Sequence, residues 1–427
     1  MKPMKHREYV PFFILMLVLL LVHLFLPLNW SDDAVFLVKS ANISLKQFLI
    51  GSARPLTDTL TYLFVRNQML WRLLNPIVLT VLAVTLSYLL SSIHKLRQNI
   101  VICCTIFYPV LVLVDAGFIA TTVNYLWPIT CGLLCLIPVK QACNHMRIGC
   151  LEALILIPLL FYATNMQQMC VVLTIVFFAA NCYLIKRRRF HFYVLIQFLL
   201  TVAGLLYSYY LNMFGGNNRM MRETARYFPG FTQLGLLEKA ELGFSSTFYC
   251  FTMYVHFAWV AFLIFSFFLM KAVFKSSEKA HSRAISVFPF AFTLCFGVLS
   301  LLPQRFTPFL TFFTGNLQNY SVGKASYAFN FVADLCFVII CLCVIHSLWT
   351  VLDRKNFCLA FSTLFLGLTS RLMMGFSPTV WASGFRTFAI LIISLIATAV
   401  IVLNSRDHAG EKKAATCSRE SSLGPCP

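Results

Sequence analysis

The chain has 427 residues, of which 59% are apolar and only 11% charged, and its mean hydropathy is +0.79. Soluble globular domains carry about 25% charged residues, so this composition excludes a soluble enzyme and predicts a protein that is surrounded by lipid. The formal net charge is +19. In a soluble protein this excess would suggest a nucleic-acid partner, but in a membrane protein it has to be read loop by loop.

Apolar runs along the chain predict an all-α, polytopic integral membrane protein. A helix needs about 20 mostly apolar residues to cross the hydrocarbon core, and runs of about this length predict twelve crossings. They are residues 9–28, 73–92, 100–119, 121–138, 148–164, 168–185, 191–213, 244–270, 284–302, 328–350, 357–375 and 387–403. Residues 1–403 therefore form one transmembrane domain, and residues 404–427 are predicted to be a polar cytoplasmic tail without fixed structure.

The basic residues predict the orientation of these crossings. Lysine and arginine in short loops stay on the cytoplasmic side, and alternate connections of the predicted map hold 21 of the 34 basic residues. Both termini are accordingly predicted to be cytoplasmic. The positive charge then reflects topology, and no nucleic-acid partner is expected.

An acidic pair, Asp32 and Asp33, follows the first predicted crossing directly. A carboxylate held at the membrane surface can deprotonate an acceptor hydroxyl, and adjacent carboxylates can raise one another's pKa. The structural alternative is that Ser31 caps a surface helix whose first turn carries the two acids.

The rest of the first outer connection, residues 29–72, predicts short interfacial helices. Leucine and phenylalanine recur there at three- and four-residue spacing with polar residues between, a pattern typical of helices that lie in the headgroup plane. Arg54 stands in the turn between them. It could bind a phosphate group through paired hydrogen bonds, or it could contact lipid headgroups.

Two uncharged outer segments could recognise a sugar. Asn124, Tyr125 and Trp127 occur in the run TTVNYLWP, and Gln167 and Gln168 occur in an amide-rich turn. Amides can hydrogen bond to sugar hydroxyls and aromatic rings can stack on a sugar. The alternatives are an aromatic belt at the membrane interface and simple capping of two helices at the turn.

The second long outer segment, residues 214–243, is basic. Asn218, Arg219, Arg222 and Arg226 follow two glycines. The three arginines share one face if residues 219–227 are helical, which would make an anion site. A solvated basic loop against anionic lipid is the alternative. No glycine pattern typical of nucleotide binding is present.

Two further arginines lie near the outer ends of the last two crossings. Arg386 precedes the last crossing, within the run SPTVWASGFRT, and Arg371 interrupts an otherwise apolar helix. A charge inside a membrane helix is costly, so Arg371 is expected to face a polar cavity or to extend toward the interface.

The order of these outer motifs resembles a family. SDD, the Arg54-Pro55 turn, NYLWP, the amide-rich turn, GGNNRMMRE and SPTVWASGFRT occur in this order on one predicted side of the membrane. The chain is similar over residues 9–403 to polytopic bacterial glycosyltransferases of the GT-C architecture, in particular to phage-borne enzymes that modify O-antigen with bactoprenol-linked sugar. Related proteins often have a carboxylate near the amide-rich turn, where this chain has only amides.

The resemblance implies an enzyme of the bacterial inner membrane whose active site faces the periplasm. It implies a polyprenyl-phosphate sugar as donor, a periplasmic or lipid-linked glycan such as O-antigen as acceptor, and a hexose, with glucose as one candidate, as the transferred group. Asp32 or Asp33 would be the general base, and no cofactor or metal is expected. The basic residues that would stabilise the departing phosphate are Arg54, Arg219, Arg222 and Arg386. The residues that would orient the sugar or the acceptor are Asn124, Tyr125, Gln167 and Gln168.

Two other classes of function fit the sequence. A transporter or flippase for lipid-linked saccharide would also have about twelve crossings, although transporters usually bind substrate near the bilayer midplane. A structural or assembly component of a polysaccharide export machine would tolerate substitution of Asp32 and Arg219. In each case membrane lipids are expected as partners.

Overall fold

The computed structural model describes residues 9–90, 117–214, 219–302 and 331–422; the side chains of residues 212–214, 219 and 406–422 are not described. Within these ranges all regular secondary structure is helical. The helices before the second outer segment are Val10–Phe25 (α1), Ser31–Asn42 (α2), Leu45–Phe48 (α3), Pro55–Arg66 (α4), Gln68–Leu90 (α5), Phe118–Thr121 (α6), Trp127–Leu134 (α7), Ile137–Cys143 (α8), Cys150–Thr164 (α9), Gln167–Lys186 (α10) and Phe192–Phe214 (α11). The later helices are Arg219–Tyr227 (α12), Leu236–Thr252 (α13), Phe257–Ser276 (α14), Ala280–Ser300 (α15), Phe331–Val351 (α16), Arg354–Leu372 (α17) and Ala389–Ser422 (α18).

Nine helical segments of the described chain are long and apolar enough to cross a membrane. Two shorter apolar helices, α1 and α9, coincide with the predicted crossings at residues 9–28 and 148–164. The predicted crossing at residues 100–119 lies mostly outside the described residues. The nine segments are Gln68–Leu90, Phe118–Cys143, Gln167–Lys186, Phe192–Leu211, Phe257–Ser276, Ala280–Ser300, Phe331–Val351, Arg354–Phe376 and Gly384–Ser405.

The structure differs from the sequence prediction at residues 244–270, which we expected to be one crossing. Helix α13 ends at Thr252 and helix α14 begins at Phe257, so the segment is broken. The side chain of His256 accepts a hydrogen bond from the backbone N–H of Ala258 at 3.0 Å. This bond caps the first turn of α14, because an N-terminal N–H has no partner within its own helix.

The last helix lies at the centre of the bundle. Side chains of α18 are buried almost without interruption from Ala389 to Val402. Its close neighbour is α17, where a Cβ added at Gly367 would lie 2.0 Å from the Ser394 Oγ atom. Small residues let helices approach closely in membranes, and Gly367 allows α17 to pack directly against α18 at Ser394. Helix α18 continues past the predicted domain boundary to Ser422.

The first connection folds back over one end of the bundle. Helices α2, α3 and α4 lie between α1 and α5, at the positions where the sequence predicts interfacial helices. The Tyr62 hydroxyl of α4 donates to the Ile43 carbonyl at 3.2 Å, and the backbone N–H of Leu56 donates to the Asn165 Oδ1 atom at 3.1 Å. The first bond joins α4 to the end of α2, and the second joins α4 to the turn before α10. Together they place α2 and α4 beside the same cavity.

Candidate functional site

A cavity of about 710 Å³ lies where the connection α2–α4 meets the ends of several membrane helices. Its walls also include the start of α10, part of α12 and the segment 373–386 that joins α17 to α18. Residues that are far apart in the sequence thus meet around one space. The predicted site residues that line the cavity are Asp32, Arg54, Asn124, Tyr125, Gln167, Gln168, Arg222 and Arg386.

An ion pair at this cavity joins Asp32, from the first part of the chain, to Arg386, from the last part. The Arg386 Nη1 atom donates to the Asp32 Oδ2 atom at 3.0 Å, and both side chains keep part of their surface exposed, 22% for Arg386 and 42% for Asp32. The Arg386 Nε atom also donates to the Ser383 carbonyl at 2.8 Å. The guanidinium is therefore held by two contacts, while the Asp32 Oδ1 atom has no hydrogen-bond partner among the described residues and is able to accept a proton.

Tyr125 lies between two arginines of this cavity. The Cζ atom of Arg54 lies 5.5 Å from the centre of the Tyr125 ring, and that of Arg386 lies 6.0 Å from it. Tyr125 belongs to a π-helical turn, Thr122–Leu126, that joins α6 to α7. Such turns are rare and occur often at functional sites. Cation–π attraction holds both cations near one point without neutralising their charge.

Arg54 lies among acidic groups that favour its charged form. Burial alone would lower the pKa of Arg54, but Tyr125, Asp58 and Glu223 more than offset this effect and raise the pKa. The backbone N–H of Arg54 donates to the Ser52 Oγ atom at 3.0 Å, and the Ser52 hydroxyl donates to the Asp58 carboxylate at 2.5 Å. The Arg54 Nε atom is buried and has no partner among the described residues. Arg54 is therefore a charged donor at the cavity whose Nε–H can donate a hydrogen bond to an anion.

The amide side chains of the cavity differ in what they are free to bind. The Asn124 amide nitrogen donates to the Thr61 Oγ1 atom at 3.2 Å, while its carbonyl oxygen has no partner in the described part of the chain. Gln168 is buried, and its amide nitrogen donates to the carbonyls of Ser370 at 2.8 Å and Thr387 at 3.3 Å. Because Thr387 follows Arg386, Gln168 fixes the turn that carries this arginine. Its nitrogen is therefore occupied by protein.

Asp33 does not line the cavity, although it is next to Asp32. It is 2% exposed, and its two carboxylate oxygens accept hydrogen bonds from the backbone N–H groups of Ile119 at 2.9 Å and Ala120 at 2.8 Å. Burial raises the pKa of Asp33 to about 6, with the amides of Ala120 and Ile119 offsetting part of the rise. Asp33 thus caps α6 in the manner of a helix N-cap, from a distant part of the chain.

Gly117 makes the contact between Asp33 and α6 possible. Its φ angle is +93°, and a Cβ added to it would lie 2.4 Å from the Asp33 Cγ atom. Only glycine combines this backbone conformation with such a close approach. The start of α6 and the position of α2 are therefore fixed together, which also fixes Asp32 at the cavity.

Trp127 is also outside the cavity lining. It is buried, its ring packs edge-on against Phe64 with centroids 5.1 Å apart, and its indole N–H donates to the Asn75 Oδ1 atom at 2.7 Å. Asn75 is bonded in turn to His23 at 2.8 Å. The structure therefore places Trp127 in a polar contact between α7, α5 and α1 rather than beside a ligand.

The basic segment after α11 is described only in part. Residues 219–227 are helical, as the shared face of the three arginines requires, and Arg222 is exposed at the cavity. Arg226 is exposed and lies 5.0 Å from the Tyr227 ring. Asn218 and the side chain of Arg219 lie outside the described residues.

Three charged residues of the cavity are missing from the sequence-based site. Lys39, Asp58 and Glu223 all line it. Asp58 is four residues after Arg54 at the start of α4, and Glu223 follows Arg222 directly, so the proximity of opposite charges was a usable signal. Lys39 carried no such signal, because it reaches the cavity only through the orientation of α2.

Arg371 faces the interior of the bundle. It is 1% exposed, its Nη2 atom donates to the Ser246 Oγ atom at 3.2 Å, and its Cζ atom lies 4.5 Å from the centre of the Phe388 ring. It is thus close to the turn that carries Arg386 but does not line the cavity. Among the described residues, no group of three histidine, cysteine or acidic side chains could hold a metal ion.

No family model, no curated protein and no solved structure matches this chain.

Proposed function

We propose that this protein is a membrane glycosyltransferase that transfers a hexose from a polyprenyl-phosphate donor to a periplasmic glycan such as O-antigen. The observation that carries the proposal is the cavity in which Asp32 lies beside the cations Arg386 and Arg54. A reaction of this kind needs a base for the acceptor hydroxyl and positive charge for the departing phosphate. The two must be close enough to act on the same sugar.

The chemistry assigns a role to each group. Asp32 accepts the proton of the acceptor hydroxyl through its unpartnered Oδ1 atom while the hydroxyl oxygen forms a bond to the anomeric carbon. The bond between that carbon and the phosphate oxygen breaks, and the phosphate leaves with the bonding electrons. Arg386 and Arg54 stabilise the negative charge that develops on it. The protonated Asp32 then returns its proton to water.

The polar groups that remain around the cavity suit a sugar. The carbonyl oxygen of Asn124, which lines the cavity, can accept a hydrogen bond from a sugar hydroxyl group. Gln167 lines the same cavity and makes no hydrogen bond through its side chain to any described residue. Sites for small polar ligands typically combine apolar lining with a few such groups that fix orientation.

The position of the cavity favours a transferase over a transporter. The residues that carry the charges lie at helix ends and in connecting segments, in α2, before α4 and before α18. A transporter is expected to bind its substrate near the middle of the bilayer, on interrupted helices. On the topology predicted from the basic residues, this end of the bundle faces the periplasm.

Reconstitution distinguishes the two functions. The purified full chain is placed in liposomes with polyprenyl-phosphate hexose, labelled in the sugar, and lipid-linked glycan acceptor. A transferase produces glycan with one added hexose, detected by mass spectrometry, at a rate that depends on acceptor concentration. Movement of the labelled donor across the bilayer with no change in glycan mass would instead support a flippase.

A further inference from the structure

A second, smaller concavity lies at the opposite end of the bundle, between α14 and α18. It has a volume of about 170 Å³, and its floor is apolar, formed by Phe265 and Leu269 of α14 and by Ala399 and Val402 of α18. All four of these side chains are buried against the bundle. We call this concavity the α14/α18 groove.

Two lysines continue the same face of α14 beyond the apolar floor. Lys271 and Lys275 both line the groove and both are exposed. They are one turn apart, and Phe268, Lys271, Ala272 and Lys275 follow the three- and four-residue spacing that places side chains on one helix face. The groove is therefore apolar at one end and doubly positive at the other.

The two lysines of this groove are unpaired within the described part of the protein. Neither Lys271 nor Lys275 makes a salt bridge or a hydrogen bond to any residue whose side chain is described. Both α14 and the segment Gly384–Ser405 are candidate membrane spans, and the two lysines lie within the last two turns of α14. They therefore lie near the depth at which phospholipid headgroups meet the hydrocarbon core.

We propose that the α14/α18 groove binds an anionic phospholipid. One acyl chain lies against the partly exposed side chains of Phe268 and Leu403, and the phosphate group contacts the ammonium groups of Lys271 and Lys275. Charge complementarity selects this occupant, because basic pockets between membrane helices favour anionic over zwitterionic headgroups.

Native mass spectrometry of the purified full chain tests this proposal. The protein is titrated with phosphatidylglycerol or with phosphatidylcholine of the same acyl chains, and the first binding event is compared. We expect phosphatidylglycerol to bind at least about tenfold more tightly, since each lysine near the surface contributes about fivefold. The variant Lys271→Gln/Lys275→Gln should lose this preference.

Matched variants separate a specific site from general surface charge. Arg354→Gln/Lys355→Gln removes two exposed charges from the same end of the bundle, at the start of α17, and should keep the preference for phosphatidylglycerol. Lys271→Arg/Lys275→Arg keeps both positive charges and should also keep the preference for phosphatidylglycerol. If it does, the loss in the glutamine variant comes from the lost charge and not from misfolding.

Three outcomes would overturn the proposal. These are equal binding of the two lipids by the unaltered protein, an equal loss in the two glutamine variants, and displacement of phosphatidylglycerol by glycerol phosphate at the same concentration. The last result would mean that the apolar floor contributes nothing. None of these measurements depends on glycosyl transfer, so the two proposals fail separately.

Discussion

The two ends of the bundle carry positive charge in different ways. At the large cavity, Arg386 is paired with Asp32, and Arg54 lies over Tyr125 with acidic groups nearby. At the α14/α18 groove, by contrast, Lys271 and Lys275 have no partner among the described side chains. Charges fixed before the substrate arrives suit a reacting centre, because they need no reorganisation as new charge develops. Free lysines at a helix end suit a lipid headgroup, which exchanges and needs no exact orientation.

Substituting Arg386 should lower the rate of glycosyl transfer more than any substitution at the opposite end of the bundle. Arg386→Ala deletes the partner of Asp32 and one of the two cations assigned to the departing phosphate, so we expect glycosyl transfer to fall about 10²- to 10³-fold. The reconstituted transfer assay measures this. Arg354→Gln, an exposed charge at the opposite end, is the control and should keep full activity. A loss of less than threefold in Arg386→Ala would remove this residue from the mechanism.

Asp33 and Asp32 are adjacent in sequence, yet we expect their substitutions to act through different properties. Asp33 is predicted to act on stability. Its pKa in the folded protein is about 6, raised from an ordinary value of 3.8, so the folded state binds more protons between these values. The stabilisation is present below about pH 4 and is lost as the pH rises through 6, by at most about 3 kcal/mol.

The variant Asp33→Asn tests this assignment because it removes the titration. The thermal unfolding midpoint in detergent is measured at pH 4.5 and at pH 7.5 for both proteins. The unaltered protein should lose more stability than Asp33→Asn over this interval, and the variant should be the less stable at pH 4.5, since one backbone N–H of α6 loses its acceptor. An identical pH dependence of the two proteins would contradict the burial of this carboxylate.

Substituting Gln168 tests whether this residue positions the turn that carries Arg386. Gln168→Ala leaves the carbonyls of Ser370 and Thr387 without this donor, and we expect a loss of about 1 to 2 kcal/mol in unfolding free energy together with a severalfold fall in kcat. Asn181→Ala is a matched control. Asn181 is a buried amide of the same helix that donates to two carbonyls, of Phe177 and Val194, away from the cavity.

The two amide variants should be destabilised alike, but only Gln168→Ala should transfer sugar more slowly. If Asn181→Ala slows transfer to the same extent, the effect is one of general stability, and Gln168 does not position Arg386.

Lys39 should give the smallest effect. Its side chain is exposed at the cavity, 4.9 Å from the centre of the Phe48 ring, and exposed charges contribute little at physiological salt. For Lys39→Gln we expect a rise in KM for the donor of less than about threefold, with kcat unchanged, and a smaller effect still at high salt. A large fall in kcat would place Lys39 with the residues that contact the reacting atoms.

The sequence contained enough information to predict some of the residues that line the cavity, but not the others, nor how each residue is used. Asp32, Arg54, Asn124 and Arg386 were predicted to share one side of the membrane, and they line one cavity. This worked because charged and amide side chains are excluded from apolar helix faces and collect at helix ends.

The roles of Asp33 and Trp127 could not be predicted in this way. Asp33 caps a helix that begins 85 residues later, at Phe118, beyond a segment of the chain outside the described residues. Trp127 is held by Asn75 of another helix. Both contacts depend on how helices pack, which local patterns do not encode. For the same reason the break before His256 was missed, since the apolar pattern continues through it.

The most direct test of the proposed mechanism is the transfer rate of Asp32→Asn in liposomes that contain polyprenyl-phosphate hexose and acceptor glycan. Glu278→Gln, an exposed acid near the α14/α18 end, serves as the control. If Asp32 is the general base, Asp32→Asn should transfer sugar at least about 10²-fold more slowly with an unchanged unfolding midpoint, and Glu278→Gln should be fully active. A well-folded Asp32→Asn protein that transfers hexose at the rate of the unaltered chain would contradict the account.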